Sequence, residues 1–415
     1  MIGMRAWGPM VVALALLGVG CGGDDESMVW DDDDAGGTEA DGGPGDGPGD
    51  DDDDDDDAPG DDDDDDDDDD PGDDDDDDSP GDDDDDSSGD DDDDDDDDDD
   101  VPGPDTVWEC FDGAFVNDAE HLSRYEGMAP TVGAHCRGTD HQDIVDVERV
   151  VFLGDSITVG SPPTAPIDFY RSRLAVRLAE EFALDFAGAQ DGFMGYNPVS
   201  GSALVMHAGD FSSCARWGGQ NEDLLQAAQQ REECFPQTTR GLETLVVITS
   251  GGNDLSSIAN MAIDGASEEV LWEQAATMVE DLRGGLEWLA DPARFPAGVH
   301  VVFGNVYEFT DGVGDIEQCA ASTFAGFDGP LPDPDMLADL AAWINEEYMA
   351  IAIDLGYDMA FMAEEFCGHG QNAADPSAPC YRGPGTEVWF DFTCIHPTPG
   401  GHGIVADAFE AIITN

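Results

Sequence analysis

The feature that most limits what this chain can fold into is an acidic tract near its N-terminus. From Asp24 to Asp105 the sequence is almost entirely Asp, Gly, Pro and Ser, and it holds about half of the 100 acidic residues of the 415-residue chain. A segment of this composition cannot bury enough apolar surface to offset the entropy that ordering would cost. We therefore predict a disordered acidic linker over residues 22–106 and one folded domain over residues 107–415.

Charge also limits the partners of the folded domain. All 13 basic residues are arginine, and the net charge of the chain is −87. Even with the tract set aside, acids outnumber arginines by about four to one. This balance argues against nucleic acid or an anionic membrane surface as a partner, because both repel a negatively charged protein. The Asp tract offers Ca²⁺ at most a non-specific site, since it has no spaced ligand loop of the EF-hand type.

The first 21 residues have the form of a signal peptide. Arg5 precedes an apolar run from Met10 to Val19, which is too short to span a bilayer. Cys21 comes directly after a glycine, which resembles the lipobox of bacterial lipoproteins, although Gly18 stands where leucine is usual. We expect an exported lipoprotein of the bacterial cell envelope, anchored to the membrane only through lipid on Cys21. An ordinary cleaved secretory signal is the alternative.

Cysteine usage agrees with export. The chain has nine cysteines, and setting Cys21 aside for lipid leaves eight in the folded part, enough for up to four disulfides. The pairings of near neighbours are those to test first: Cys110 with Cys136, Cys214 with Cys234, and Cys367 with Cys380. A metal site built from Cys367, His369 and Cys380 is the weaker interpretation, because an oxidising compartment favours disulfides over thiolate ligands.

The folded part alternates strand patterns with helix patterns. Such alternation indicates crossover connections and a parallel sheet, so we predict an α/β fold, a three-layer α/β/α sandwich with its site beyond the carboxyl ends of the strands. Most of residues 183–240 is expected to be an inserted loop. Predicted strands cover residues 149–153, 244–249, 299–306 and 358–362, and predicted helices cover residues 167–182, 268–289, 336–355 and 401–413.

Three polar motifs stand where strand patterns end. Ser156 lies on a tight Gly-Asp-Ser turn before a helix, where an oxyanion could be stabilised beside a nucleophile. Asn253 lies in a Gly-rich turn after the next strand, and its amide can donate to an oxyanion without bringing charge. Near the C-terminus, His396 with Asp391 close upstream supplies the base and the orienting acid that a serine nucleophile needs.

The order Gly-Asp-Ser, Gly-x-Asn-Asp and His-Pro resembles the SGNH, or GDSL-type, hydrolase family over about residues 148–415. The resemblance implies that family's flavodoxin-like α/β/α fold and serine esterase activity. It implies Ser156 as the nucleophile and, through its backbone N–H, as the first oxyanion donor. It further implies Asn253 as a side-chain oxyanion donor and His396 as the general base.

Two roles depart from the family pattern or have rivals. The second backbone oxyanion donor corresponds to Gly218 in a Trp-Gly-Gly turn, with Gly219 and Gly192 as rivals. The family usually has Asp three residues before the histidine, and here that place is Thr393. Asp391 is therefore assigned as the third member of the triad. The alternative is a Ser-His dyad in which a backbone carbonyl near Thr393 orients the imidazole.

The remaining polar residues near these motifs receive structural interpretations. His402 and His369 are expected to pack rather than react, Asp155 to support the nucleophile turn, and Asp254 to orient the turn that carries the asparagine. The loops over residues 188–214 and 311–335 are expected to shape the substrate pocket.

The function implied is that of an exported serine hydrolase that cleaves carboxylic esters by acyl transfer through Ser156 and His396. This mechanism needs no metal and no organic cofactor. The sequence does not choose among lipid esters, acetylated glycans and small esters. The alternative function is a non-catalytic surface module that binds cations or carbohydrate on the same fold, and Thr393 in the usual acid position is the one feature in its favour.

Overall fold

The computed structural model describes residues 104–119, 122–125, 127–186, 196–197, 201–203, 207–225, 230, 234–319, 321, 326–327 and 329–415. The predicted signal peptide, Cys21 and residues 22–103 of the predicted linker lie outside the described residues, as do Gly192 and part of the 188–214 loop. Within the described ranges, no helix is long and apolar enough to cross a bilayer.

Strands and helices alternate along most of the domain. The strands are β1 Arg149–Gly154, β2 Tyr196–Asn197, β3 Ser202–Ala203, β4 His207–Ala208, β5 Phe211–Ser213, β6 Thr244–Thr249, β7 Val299–Gly304 and β8 Asp358–Ala360. The α-helices are α1 Val107–Cys110, α2 Ser156–Val159, α3 Tyr170–Glu181, α4 Asn221–Leu225, α5 Gly252–Ile263, α6 Glu268–Leu289, α7 Pro334–Leu355, α8 Met362–Phe366 and α9 Pro399–Ile413. Short 3₁₀ turns cover Pro166–Asp168 and Ile316–Gln318.

The main sheet has six strands in the order β4-β5-β1-β6-β7-β8. Strand β1 lies in the middle and pairs in parallel with β5 and β6, and the pairs β6–β7 and β7–β8 are also parallel. Only β4 runs antiparallel, at one edge. The predicted α/β fold is thus confirmed, with a mostly parallel rather than a wholly parallel sheet.

Both faces of this sheet are buried, which explains why its strands are apolar at successive positions. In β1, Val151 and Leu153 face a core formed with α6 and α7, whereas Val150 and Phe152 face a second core formed with α3 and α9. The alternation follows from the two-residue period of a strand. Helices therefore cover the sheet on both sides, which gives the three layers expected from the sequence.

Two helices begin before their predicted first residues because a side chain caps them. Helix α7 starts at Pro334, since Asp333 accepts a hydrogen bond from the N–H of Met336 (3.2 Å). Helix α9 starts at Pro399, since Thr398 accepts one from the N–H of Gly401 (3.2 Å). In both, proline occupies the first turn, where no amide hydrogen is needed.

Three elements differ from the predictions more strongly. Strand β5 lies within the region predicted as an inserted loop, yet it pairs with β1 and extends the sheet. Helix α5 begins in the Gly-rich turn that carries Asn253, where only a turn was predicted. The strand predicted over residues 358–362 ends at Ala360, and α8 follows it.

Four disulfides join the cysteines of the described part. The three predicted pairs, Cys110–Cys136, Cys214–Cys234 and Cys367–Cys380, are confirmed. The fourth joins Cys319 to Cys394, which are 75 residues apart, and the sequence alone does not predict this pair. The metal interpretation of Cys367 and Cys380 is wrong, because these residues are bonded to each other. Among the described residues, no three His, Cys, Asp or Glu side chains are grouped closely enough to hold a metal ion.

Candidate active site

The nucleophile turn begins where β1 ends. Gly154 has a φ of +118°, and a Cβ at this position would lie 1.8 Å from the carbonyl oxygen of Thr249, so no side chain fits. Asp155 then caps α2 by accepting a hydrogen bond from the N–H of Ile157 (3.0 Å). Ser156 is the first residue of that helix, on the strand-to-helix turn predicted for it. Its N–H makes no hydrogen bond with another described residue.

Buried hydroxyl groups of Thr249, Thr158 and Tyr170 form a chain of contacts that ends at Asp155 and supports this turn. The Oγ1 of Thr249 donates to the carboxylate of Asp155 (3.0 Å) and lies 2.7 Å from the Oγ1 of Thr158. That hydroxyl in turn lies 2.5 Å from the Oη of Tyr170. The buried guanidinium of Arg171 donates to the carbonyl of Thr158 (2.9 Å). Burial raises the pKa of Asp155 to about 7. This carboxyl supports the turn, which is the role expected for it from the sequence.

The candidate oxyanion donor Asn253 lies in the first turn of α5, directly beyond β6. Its Nδ2 donates to the carbonyl oxygen of Gly219 (2.9 Å), and its side chain lines the same cavity as Ser156. A side-chain amide nitrogen carries two hydrogens, so one N–H is left for a ligand in that cavity. The contact with Gly219 orients the amide and leaves that second hydrogen available.

The neighbouring carboxyl, Asp254, serves the structure of the turn. Its Oδ2 accepts a hydrogen bond from the N–H of Asn221 (3.1 Å), and the Asn221 side chain contacts Tyr348 (2.6 Å) and Ser250 (2.7 Å). Burial raises the pKa of Asp254 to about 7. Asp254 therefore ties α5 to the start of α4, which is the structural role expected for it.

The candidate base, His396, reaches the nucleophile from a loop before α9. Its Nε2 lies 2.9 Å from the Oγ of Ser156, within hydrogen-bond distance. The loop is closed by a bridge between Phe390 and Pro397 and by the disulfide from Cys319 to Cys394. Burial lowers the pKa of His396 to about 4. The imidazole is therefore neutral at neutral pH and able to accept a proton.

The other ring nitrogen contacts a threonine rather than an acid. The Oγ1 of Thr393 lies 3.0 Å from Nδ1 of His396 and 2.5 Å from Oδ1 of Asp391. From the sequence, either Asp391 or a backbone carbonyl near Thr393 was expected to orient the imidazole; the structure instead places the Thr393 hydroxyl against it. The signal that could have found this contact is a hydroxyl residue at the family's acid position with a carboxyl two residues earlier.

The predicted second backbone donor lies in the turn before α4. Gly218 has a φ of +70°, and its N–H makes no hydrogen bond with another described residue. The N–H of its rival Gly219 is occupied, since it donates to the carbonyl of Arg216 (3.1 Å). Gly218 is not among the residues that line the cavity beside Ser156. The structure thus leaves the Gly218 amide available without bringing it to the cavity surface.

Ser156, Asn253 and His396 share one cavity of about 200 Å³. Most of its lining is apolar and includes Ile157, Leu255, Val306, Phe309, Phe327 and Leu337. Residues of the predicted 311–335 loop contribute to it, as do Leu122 and Ser123 from the N-terminal segment. A volume and lining of this kind suit the hydrocarbon part of a small substrate.

Two other histidines are packed side chains, as expected. The His402 ring is buried against Tyr170, whose N–H lies 3.3 Å from Nδ1. The His369 ring stacks on Trp389 with centroids 3.4 Å apart, and its Nδ1 lies 2.8 Å from the Glu387 carbonyl. Burial lowers the pKa of both rings. Neither ring lines the cavity.

Solved structures similar to this chain include three lipolytic proteins. An extracellular lipase from Streptomyces rimosus is 20% identical, with 64% of this chain and all of the lipase covered and a TM-score of 0.37. A lipase from a goat rumen metagenome is 14% identical, with 64% of this chain and 97% of the lipase covered and a TM-score of 0.41. A lipolytic G-D-S-L protein from Veillonella parvula is 12% identical, with 65% of this chain and all of that protein covered and a TM-score of 0.35. Comparison with curated proteins gives no match.

The family is assigned from a sequence profile and not from these structural similarities. The family profile described as GDSL-like lipase/acylhydrolase matches residues 152–404, which is more than half of the chain. The match begins in β1, just before the nucleophile turn, and ends within α9, just after the histidine loop. The predicted family is thereby confirmed: the chain belongs to the GDSL-like lipase/acylhydrolase family and is a hydrolase.

Proposed function

We propose that this hydrolase cleaves carboxylic esters by acyl transfer through Ser156 and His396. The observation that carries the proposal is the 2.9 Å separation of His396 Nε2 from Ser156 Oγ at the edge of an apolar cavity. A serine hydroxyl is a weak nucleophile until a base accepts its proton, and a neutral imidazole at this distance is such a base.

The reaction then proceeds in two halves. Ser156 Oγ attacks the acyl carbon while its proton passes to Nε2, and the oxyanion accepts hydrogen bonds from the N–H of Ser156 and the side-chain amide of Asn253, both at the cavity. Collapse of this intermediate breaks the ester C–O bond, and His396 returns the proton to the leaving alcohol. Water, activated by the same imidazole, releases the acid and restores the serine.

The lining of the cavity favours esters with a hydrocarbon acyl chain over acetylated glycans. An acetyl group would leave most of the apolar surface uncovered. Burial of each additional CH₂ group is worth about 0.8 kcal/mol, or roughly a fourfold gain in kcat/KM while the chain still fits the cavity. We expect kcat/KM to rise with acyl length and then to level off.

Hydrolysis of p-nitrophenyl acetate, butyrate and octanoate by the wild-type protein and by Ser156→Ala tests this proposal. Loss of the nucleophile should lower kcat by at least about 10⁴-fold for every ester. Ser256→Ala is the matched control, because Ser256 lines the same cavity and, among the described residues, makes no hydrogen bond with His396. Equal rates for wild type and Ser156→Ala would reject acyl transfer and favour the non-catalytic surface module.

We also propose that the protein is exported and carries lipid on Cys21. The four disulfides of the described domain support export, because such bonds form and persist in oxidising compartments. Labelling of the expressed full chain with a radioactive fatty acid should mark the wild type and not Cys21→Ala. Secretion of an unlabelled wild-type protein would instead indicate an ordinary cleaved signal.

A further inference from the structure

We infer that Thr393 is a positioning residue that links the buried carboxylate of Asp391 to the imidazole of His396 and sets which ring nitrogen carries the proton. In the usual family pattern an acid occupies this position, three residues before the histidine. Here the hydroxyl occupies it and the carboxylate lies one hydrogen bond further away. The inference rests on the proposed acyl transfer, for which Nε2 must be free of its proton.

The direction of each hydrogen bond follows from the number of hydrogens available. The Thr393 hydroxyl has one hydrogen, and an ionised carboxylate can only accept. The 2.5 Å distance from Thr393 Oγ1 to Asp391 Oδ1 is that of a charge-assisted O–H···O bond, so the hydroxyl hydrogen points to the carboxylate. The hydroxyl oxygen therefore accepts from Nδ1 of His396 at 3.0 Å. The neutral ring then carries its hydrogen on Nδ1 and presents a lone pair on Nε2 to Ser156.

Among the described residues, the hydrogen bonds that the Asp391 carboxylate accepts come from Thr393. Asp391 is 7% exposed, and Oδ1 accepts from both the backbone N–H (2.7 Å) and the hydroxyl of Thr393. Oδ2 is buried and has no hydrogen-bond partner among the described residues. Burial raises the pKa of Asp391, and its hydrogen bonds with Thr393 act in the opposite direction.

This arrangement has a consequence for the reaction. When Ser156 passes its proton to Nε2, the ring becomes a cation inside a buried site, where an unpaired charge is costly. The Asp391 carboxylate, one hydroxyl away, supplies the opposite charge without touching the ring. An intact hydroxyl at residue 393 is thus needed both to orient the imidazole and to connect it to that charge.

The first test compares substitutions at residue 393. Thr393→Val keeps the shape and removes the hydroxyl, whereas Thr393→Ser keeps the hydroxyl. We expect Thr393→Val to lower kcat/KM at least about tenfold, as part of the roughly 10²–10⁴-fold that a positioned base contributes, and Thr393→Ser to retain most of the activity. Thr386→Val is the matched control, since that hydroxyl donates to the Gly383 carbonyl and, among the described residues, has no hydrogen bond with the histidine loop. Wild-type kcat/KM in Thr393→Val would overturn the inference.

A second substitution separates charge from orientation. Asp391→Asn keeps an oxygen that can accept from Thr393 but removes the negative charge. If the carboxylate stabilises the imidazolium, kcat should fall while KM stays unchanged, because the ring is charged only after the reaction begins. An unchanged kcat in Asp391→Asn would overturn the electrostatic part of the inference.

The decisive measurement does not depend on activity. Nitrogen-15 NMR of the histidine-labelled protein reports which ring nitrogen is protonated, and His396→Asn assigns the signal. We expect the Nδ1–H tautomer in the wild type and its loss in Thr393→Val. An Nε2–H tautomer in the wild type would overturn the inference even if Thr393→Val fails to fold. Failure of the acyl-transfer proposal is recognised separately, by unchanged turnover in Ser156→Ala.

Discussion

The nucleophile turn (residues 154–156) and the histidine loop (residues 390–397) meet at the contact between Ser156 Oγ and His396 Nε2. The two segments are held in place in different ways. Ser156 and Asn253 follow β1 and β6, neighbouring strands in which Gly154 lies opposite Thr249. The sheet therefore sets the separation of these two side chains. His396 follows no strand of that sheet; its loop is held by the Cys319–Cys394 disulfide, the Phe390–Pro397 bridge and local side-chain hydrogen bonds.

We therefore expect the site to tolerate substitutions near the strand ends better than substitutions in the histidine loop. The proposed oxyanion donors, Ser156 and Asn253, follow strands held by backbone pairing that many residues share, so we expect a single side chain near them to affect mainly its own contact. The proposed base, His396, is held by a few contacts of its own loop, so we expect the loss of one of them to change its orientation.

The largest effect is expected from Asn253→Ala, which tests the proposed oxyanion donor that follows β6. Removal of one oxyanion donor should lower kcat by about 10²–10³-fold and leave the fold intact. Asn260→Ala is the matched control, because that amide lies on the same helix and donates to the carbonyls of Ser256 and Gly326. Similar kcat values for Asn253→Ala and wild type would remove Asn253 from the oxyanion site.

On the loop side, we expect removal of the Cys319–Cys394 disulfide to affect both stability and turnover. Because the cysteines are 75 residues apart, the chain-entropy relation predicts a loss of about 4.5 kcal/mol in the free energy of unfolding. Replacing both cysteines by alanine should also lower kcat, because Cys394 is two residues from the base. Removal of Cys110–Cys136, with 26 residues between, should cost about 3.5 kcal/mol and spare kcat. Equal kcat in the two double variants would contradict the dependence of the base on this disulfide.

The pH dependence of kcat/KM examines the base directly. Burial lowers the pKa of His396 to about 4, and only the neutral ring accepts the serine proton. As the pH falls through about 4 the ring becomes protonated, so kcat/KM should fall there and stay level from about pH 5 to 7. Circular dichroism at each pH checks that the domain remains folded. An acid limb near the ordinary histidine value of about 6.5 would show that the ring is more solvated than the structure places it.

The smallest expected effect concerns the buried carboxyl beside the asparagine. Burial raises the pKa of Asp254 to about 7, so between its unfolded value of 3.8 and about 7 the folded state holds a proton that the unfolded state has lost. This contribution to stability is fully present below pH 3.8 and is lost as the pH rises through about 7. Asp254→Asn cannot lose a proton, so its stability relative to wild type should rise from pH 5 to pH 7.5.

Urea unfolding at the two pH values measures this difference. Asp264→Asn, at the exposed far end of the same helix, is the control. The relative stability of Asp254→Asn should increase by no more than about 1.4 kcal/mol per pH unit within the window. A constant difference between Asp254→Asn and wild type would mean that Asp254 is ionised throughout.

The parts of the molecule that could be predicted from sequence are those set by local pattern. Strands β1, β6 and β7 are long apolar runs buried on both faces, and parallel strands place their carboxyl ends at one edge. That geometry is why Ser156 and Asn253 could be expected to lie close together. Strand β5 escaped prediction because three residues inside an irregular region carry too little pattern, although β1 supplies the hydrogen bonds that hold it.

The contact between Thr393 and His396 in the histidine loop could not be predicted from local sequence pattern. The contact between Thr393 and the ring depends on a turn in which Cys394 has a φ of +67° and is tied to Cys319. Neither the unusual backbone angle nor a pairing across 75 residues is visible in neighbouring sequence. The candidate base could be named from its motif, whereas the group that orients it depends on the folded loop.

The N-terminal segment described before β1 lies outside the family match, yet it lines part of the cavity beside Ser156. Leu122 and Ser123 line the cavity, the Ser123 hydroxyl donates to the Ala342 carbonyl (2.8 Å), and Tyr125 donates to the buried Glu364 (2.7 Å). If this cavity binds the substrate as proposed, we expect the preference for one substrate over another to be encoded partly in sequence outside the family match. A chimera that carried only the matched region into another hydrolase would transfer the reaction without transferring the full selectivity.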